Sequence, residues 1–353
     1  MTSLLEERYR RALRLLPADY RRLWEEDMVS SFLEAAYAST PDDPEGVEIS
    51  SPSHGEVASI ALLALRLRLG GTGAPPRAFA WGEAIRRVAL ICLLVPAVES
   101  LLMPLFMTWH LAHLPRPGVV EEAQVGFASQ WWALWAMAGL LWIPTYLSAV
   151  FGHYRAARIM AVVAFIPAAI TSVVQMLDPW NGPVPAQAYW LFLAAVPMLA
   201  LTAFGPNVPR VRARPWLVAL PVGAAVSFAV ALLTAPLFLD NMALSPLVDV
   251  PGMYCAALIC AAMVHLASRD NPSPSWPLAL ALLVPLLLGL RVTTLLGHFG
   301  ETVVPMTIGA VQCLLLAATG TALAAVAVRR LRRLPTATET LRAPASEHSA
   351  DGR

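Results

Sequence analysis

Two ionisable residues stand inside long apolar stretches: Glu99, in a run near 88–110, and Arg291, in a run near 276–298. A charge in hydrocarbon is costly, so an acid or guanidinium there is read first as functional, pairing with a partner or lining a path for protons or solutes. Glu99 lies about 11 residues into its run and Arg291 about 15 into its own, roughly 17 Å and 22 Å deep at 1.5 Å per residue. Those depths allow a direct Glu99–Arg291 ion pair if the two helices touch. In the competing reading Glu99 is uncharged and Arg291 reaches outward toward Glu301. A second group, His110, His113, His298 and Glu301, could converge on a metal ion or a proton. Polar residues at a water boundary are equally explained by solvation, so no metal ligand is assigned.

Other chemistry is missing from the sequence. There is no H-E-x-x-H, no G-x-S-x-G and no Walker phosphate loop. No catalytic or cofactor-binding residue follows, no cofactor is expected, and an ATP-driven machine would need a separate ATPase chain. The four cysteines, Cys92, Cys255, Cys260 and Cys313, all fall in apolar runs, where small thiols pack between helices, rather than in loops at ligand spacing.

The elements that must position Glu99 and Arg291 follow from composition. The 353 residues are 57% hydrophobic and only 14% charged, with a mean hydropathy of +0.59, whereas a soluble domain is about 25% charged. Net charge is +1, so no direct nucleic-acid binding is expected. Eight apolar runs can each cover a hydrocarbon core of about 30 Å. They lie near 88–110, 130–151, 159–177, 188–205, 216–239, 251–267, 276–298 and 304–328. The fold class is therefore an all-α, polytopic membrane helix bundle over 85–328, its last two spans forming a hairpin.

Orientation comes from arginine, since positive residues stay on the cytoplasmic side. With the N-terminus inside, the inner segments hold Arg86, Arg87, Arg155, Arg158, Arg210, Arg212, Arg214, Arg269, Arg329 and Arg330. Among all 25 basic residues, every one an arginine, only Arg116 falls in an outer loop and only Arg291 within a span. Both termini are thus expected in the cytoplasm of a cell whose plasma or inner membrane holds the protein. Trp109, Trp131, Trp132, Trp180 and Trp190 fall near the outer boundary and Trp216 and Trp276 near the inner one, as in an aromatic belt. Pro96, Pro104, Pro144, Pro167, Pro197, Pro221, Pro236, Pro285 and Pro305 sit within or at the edges of spans. No signal peptide is read in residues 1–16, so the first span is expected to serve as the insertion signal. The tail from 329 to 353 is expected to be disordered.

Residues 1–84 read as a small cytoplasmic three-helix domain. The first helix, 3–16, aligns Leu5, Tyr9, Ala12, Leu13 and Leu16; the second, 19–38, aligns Tyr20, Leu23, Trp24, Met28, Phe32 and Ala35. Thr40–Gly46 reads as a loop. Ser53 and Glu56 have the spacing of a capping box before a third helix that stops at Gly70-Gly71. This stretch holds 9 Arg against 13 acidic residues, a net of −4. A domain of that sign suits a protein partner better than anionic lipid. Arg10, Arg14, Glu25 and Glu26 are the candidate partner-binding surface.

The segment Arg8-Tyr9-Arg10-Arg11-Ala12-Leu13-Arg14-Leu15-Leu16-Pro17, followed by Tyr20, Trp24-Glu25-Glu26-Asp27-Met28 and Phe32-Leu33-Glu34, resembles the HAAS-type or permease-prefix domains. These short helical domains precede the membrane spans of bacterial, notably actinobacterial, proteins. The resemblance covers about 70 residues. It implies association with PadR-type transcriptional regulators or with permeases. The approach to the first span, Pro75-Pro76-Arg77-Ala78-Phe79-Ala80-Trp81-Gly82, is similar to actinobacterial integral membrane proteins of no assigned activity. The large extracellular domain of prefix-bearing permeases is missing here. The sequence thus points to a regulatory or signalling membrane component that meets the lipid bilayer and a cytoplasmic regulator. The alternative is a permease with a separate ATPase.

Overall fold

A computed structural model describes residues 3–39, 44–68, 70, 76–113, 139–177, 184–204, 212–240, 245–268, 273–297 and 303–334. The protein is all-helical, with no strand among the described residues. It divides into two compact units, Met1–Glu83 with Leu331–Arg353, and Ala84–Arg330.

In the first unit, helices α1 (Leu4–Leu13), α2 (Ala18–Ser39), α3 (Pro44–Ile49) and α4 (His54–Arg68) surround a small core. Tyr9, Leu13 and Leu16 meet Val29 of α2 and Ile60, Ala64 and Leu67 of α4, with the Tyr9 and Phe32 rings stacked at 3.9 Å. Burial of Tyr9 pushes its phenol up, and the charge of Glu56 adds to the effect. The stretch 40–46 departs from the expected loop. Thr40–Asp43 lie outside the described residues, while Pro44 opens a helix of its own, as proline does well at a first helical position. Val47 is buried, and Arg8 closes the end of α3 by donating to the carbonyls of Ile49 at 3.0 Å and Ser50 at 2.9 Å. The expected three helices therefore become four. On α2 the expected face is also corrected: Leu23, Trp24 and Ala35 are exposed, because Val29 and Phe32 turn that helix toward α1 and α4.

Ser53 and Glu56 form the expected reciprocal cap. The Ser53 amide donates to the Glu56 carboxylate at 2.6 Å, and the Glu56 amide donates to the Ser53 hydroxyl at 3.2 Å. Removing the hydroxyl with Ser53→Ala should destabilise the start of α4 by about 1 kcal/mol. Hydrogen exchange of amides 55–57 in the full chain reads this as faster local opening, with α1 unchanged. Gly70 has φ +73°, and a Cβ there would meet the Phe79 backbone at 2.8 Å, so the chain turns after α4 at a position only glycine fits.

The second unit is built from α5 (Pro76–His113) from Ala84 onward, from α6 (Trp142–Val150), α7 (Tyr154–Leu177), α8 (Val184–Ala200), α9 (Ala213–Asp240), α10 (Ser245–Val248), α11 (Val250–Ala267) and α12 (Ser275–Gly297), and from α13 (Val303–Arg332) as far as Arg330. Stretches of α7, α9, α11, α12 and α13 are long and apolar enough to cross a membrane. The expected first span lies within α5. The second is described only from residue 139, and the fourth stops as α-helix at Ala200 and continues as the 3-10 turn Leu201–Ala203.

Packing is inverted relative to a soluble bundle. On α7 the buried face is Ala157, Ala161 and Ala164, whereas Ile159, Val162, Val163, Ile166 and Ile170 are exposed. On α9, Trp216 and Leu220 are buried while Val218, Val222 and Val226 are exposed. Branched residues outside on both helices, with small residues inside on α7, suit a hydrocarbon solvent, where helices gain by close approach rather than by hiding apolar surface. Glycines do the same on α12 and α13. A Cβ on Gly309 would run into Leu295, and one on Gly320 would meet Val284 at 2.8 Å. Leu295 pairs with the early part of α13 and Val284 with a later part, so the two helices run antiparallel as the hairpin requires.

Candidate functional site

Side chains tie helix ends together at one end of the second unit. Arg158, at the start of α7, donates to the carbonyls of Leu201, at 3.2 Å, and Phe204, beyond the end of α8. Tyr146, midway along α6, donates to the Trp216 carbonyl at the start of α9, at 2.6 Å. Trp216 stacks on Trp276 at the start of α12, with 6.3 Å between centroids, and the Arg87 guanidinium of α5 lies 4.5 Å from the Trp276 ring. Arg330, late in α13, donates to the Ser273 carbonyl just before α12 at 3.2 Å. Helices that begin here and helices that end here alternate along the chain. Trp216 and Trp276, expected in an interfacial belt, face one another and line a cavity.

That cavity holds about 550 Å³. Its walls come mainly from α5, α8, α11 and α12, with Trp142, Trp190, Trp216 and Trp276 among them. Leucines 280, 283, 286, 287 and 290 of α12 form one apolar wall. Its polar groups are few, chiefly the Glu99 carboxyl of α5 and the Tyr254 hydroxyl of α11, which donates to Glu99. Pro96 and Pro197 line it too, each withdrawing an amide from its helix ladder beside the cavity. Ala257 and Ala261, on the same face of α11 as Tyr254, line the cavity and are exposed, so the cavity opens past them.

The expected Glu99–Arg291 pair is not the arrangement found. Arg291 is buried, 1% exposed, and its guanidinium donates to the Asp249 carboxylate at 2.6 Å and to the Pro246 carbonyl at 2.8 Å. Asp249 uses its other oxygen to cap α11, accepting from the Gly252 amide at 2.7 Å. Gln312 of α13 joins by donating to the same Pro246 carbonyl at 3.0 Å. Arg291 sits near the C-terminal end of α12, and Asp249 begins the antiparallel α11, so an acid at a helix start was the nearer partner. The Asp-Val-Pro signature of a helix N-terminus was the signal that could have found it.

The remaining sequence candidates are placed as follows. In the first unit Arg10 donates to Glu6 at 2.9 Å and, with both terminal nitrogens, to Glu26 at 2.7 and 2.8 Å; Glu25 lies 3.7 Å away. The hydrogen bond from Arg10 holds the Glu26 carboxyl below its usual range and raises the guanidinium. Arg10 and Glu26 are thus spent on joining α1 to α2, while Arg14, at the end of α1, is exposed. All four cysteines are free thiols; Cys255 is buried, Cys92 and Cys313 are half-buried, and Cys260 is exposed, against the expectation of a buried thiol. His298, Glu301 and Arg116 lie outside the described residues, as do the side chains of His110 and His113 and the tail beyond 334.

No known protein family, curated protein or solved structure matches the chain.

Proposed function

We propose that this protein is a membrane-embedded regulatory or signalling component that binds a lipophilic ligand within its helix bundle. In this reading residues 85–328 cross the membrane eight times, both termini are cytoplasmic, and the helical domain of residues 1–84, HAAS-like in its motif, engages a cytoplasmic protein. The observation that carries it is the cavity of about 550 Å³, a size typical of small-molecule sites, with mostly apolar walls and a few placed polar groups. Its opening beside Ala257 and Ala261 gives a ligand dissolved in hydrocarbon a way in. The alternation of helix starts and ends at Arg158, Trp216, Trp276 and Arg330 supports an even number of crossings.

Capture from native membranes tests the regulatory half. The full chain should retain a specific cytosolic protein that a chain lacking residues 1–84 does not. If both retain the same set, the cytoplasmic domain has no such role. The permease alternative draws on the same cavity, since Pro96 and Pro197 weaken two of its walls where a transporter would flex. It requires flux of a solute that stops with Glu99→Gln.

A further inference from the structure

We propose that the cavity selects hydrophobic organic cations, with Glu99 as the counter-charge and the surrounding indoles as the binding surface. This rests on the reading of the cavity as a ligand site and specifies the ligand's charge. The Glu99 carboxyl accepts one hydrogen bond, from Tyr254, and no other polar group among the described residues reaches it. A lone carboxyl group in an apolar wall keeps its proton until a positive charge joins it, and then ionises as the counter-charge. Among the described residues the bundle does not supply that charge. Arg291 is committed to Asp249 and Pro246, and Arg87 is roughly 18 Å back along α5, seated on Trp276. What the cavity offers instead is indoles in its lining: Trp216 and Trp276 are occupied with one another and with Arg87, which leaves Trp142 and Trp190 to attract a cation through the ring quadrupole while the leucines accommodate an apolar body. An acid facing an aromatic, otherwise uncharged cavity favours a cation, tolerates a neutral molecule and rejects an anion of the same shape.

The test uses the full chain in detergent micelles, with binding read from quenching of indole fluorescence. The probes are tetraphenylphosphonium, its anionic counterpart of like shape tetraphenylborate, and neutral triphenylmethane. The wild type should bind tetraphenylphosphonium at least tenfold more tightly than tetraphenylborate. Glu99→Gln, which keeps an acceptor for Tyr254, should weaken tetraphenylphosphonium at least tenfold and leave triphenylmethane unchanged; Glu99→Asp should retain cation preference. Equal affinity of the wild type for the two ions overturns the proposal without needing any variant. So does undiminished cation binding by Glu99→Gln. In both cases binding of triphenylmethane keeps the cavity as a lipophilic site, whereas failure of all three probes removes the ligand site itself.

Discussion

Replacing Arg291 by methionine lowers the stability of the bundle by about 3 kcal/mol, the low end of what is lost when one member of a buried ion pair is removed. The guanidinium is 1% exposed and the Asp249 side chain 24% exposed, so the orphaned carboxylate recovers some hydration, which keeps the loss from being larger. Methionine fills a similar volume, so the effect belongs to the lost bonds rather than to a void. Arg291→Lys recovers only part of it, because one ammonium does not reproduce the fork that reaches both the Asp249 carboxylate and the Pro246 carbonyl. The measurement is unfolding of the full chain in mixed micelles, followed by hydrogen exchange at the start of α11. Asp249→Asn should keep the cap on Gly252 yet leave the 1% exposed guanidinium without a counter-charge, and so cost at least as much as Arg291→Met.

Filling the cavity separates binding from folding. Ala257 and Ala261 line it and are exposed, so phenylalanine at both positions extends into open space instead of into packed side chains. Ala257→Phe with Ala261→Phe should lower affinity for both tetraphenylphosphonium and triphenylmethane by about a hundredfold, equivalent to about 2.7 kcal/mol. Unfolding in mixed micelles should stay near wild type. If affinity is unchanged, the probes bind elsewhere and the cavity is not their site. A contrasting change is Gly289→Leu, whose side chain would collide with the Tyr189 ring; overpacking there should cost stability by about 1–3 kcal/mol.

The helices were legible in the sequence because hydrophobic runs and arginine spacing are local signals. Most described residues of the eight runs are helical, five of the helices are long and apolar enough to cross a membrane, and Ser53 with Glu56 announced the start of α4. What the sequence did not disclose depends on which faces meet. Arg291 and Glu99 looked like partners because both are charged and similarly deep, but depth says nothing about the angle at which two helices face each other. Asp249 was visible only as an outer-loop acid, although its place before Val250-Pro251 marks it as a helix cap pointing back at α12. Trp216 and Trp276 read as belt residues from their place in the sequence, and only the packing of α5, α9 and α12 shows that they stack on one another and meet Arg87. Tyr254 was overlooked since a tyrosine in an apolar run carries no positional signal of its own. The short α3 was missed because the acidic, proline-rich stretch around it masks a single buried valine, Val47.

The proposed function places the cavity in a bundle that crosses the membrane an even number of times with the arginine-rich ends inside. Labelling with a membrane-impermeant maleimide tests this directly, in a background where the four cysteines are replaced by serine. Single cysteines are introduced by Ser3→Cys, Glu121→Cys and Ser346→Cys. The account predicts that in intact cells only the position at 121 reacts, and that those at 3 and 346 react together once the membrane is permeabilised. Opposite behaviour of positions 3 and 346, one labelled from outside and the other protected, would contradict it.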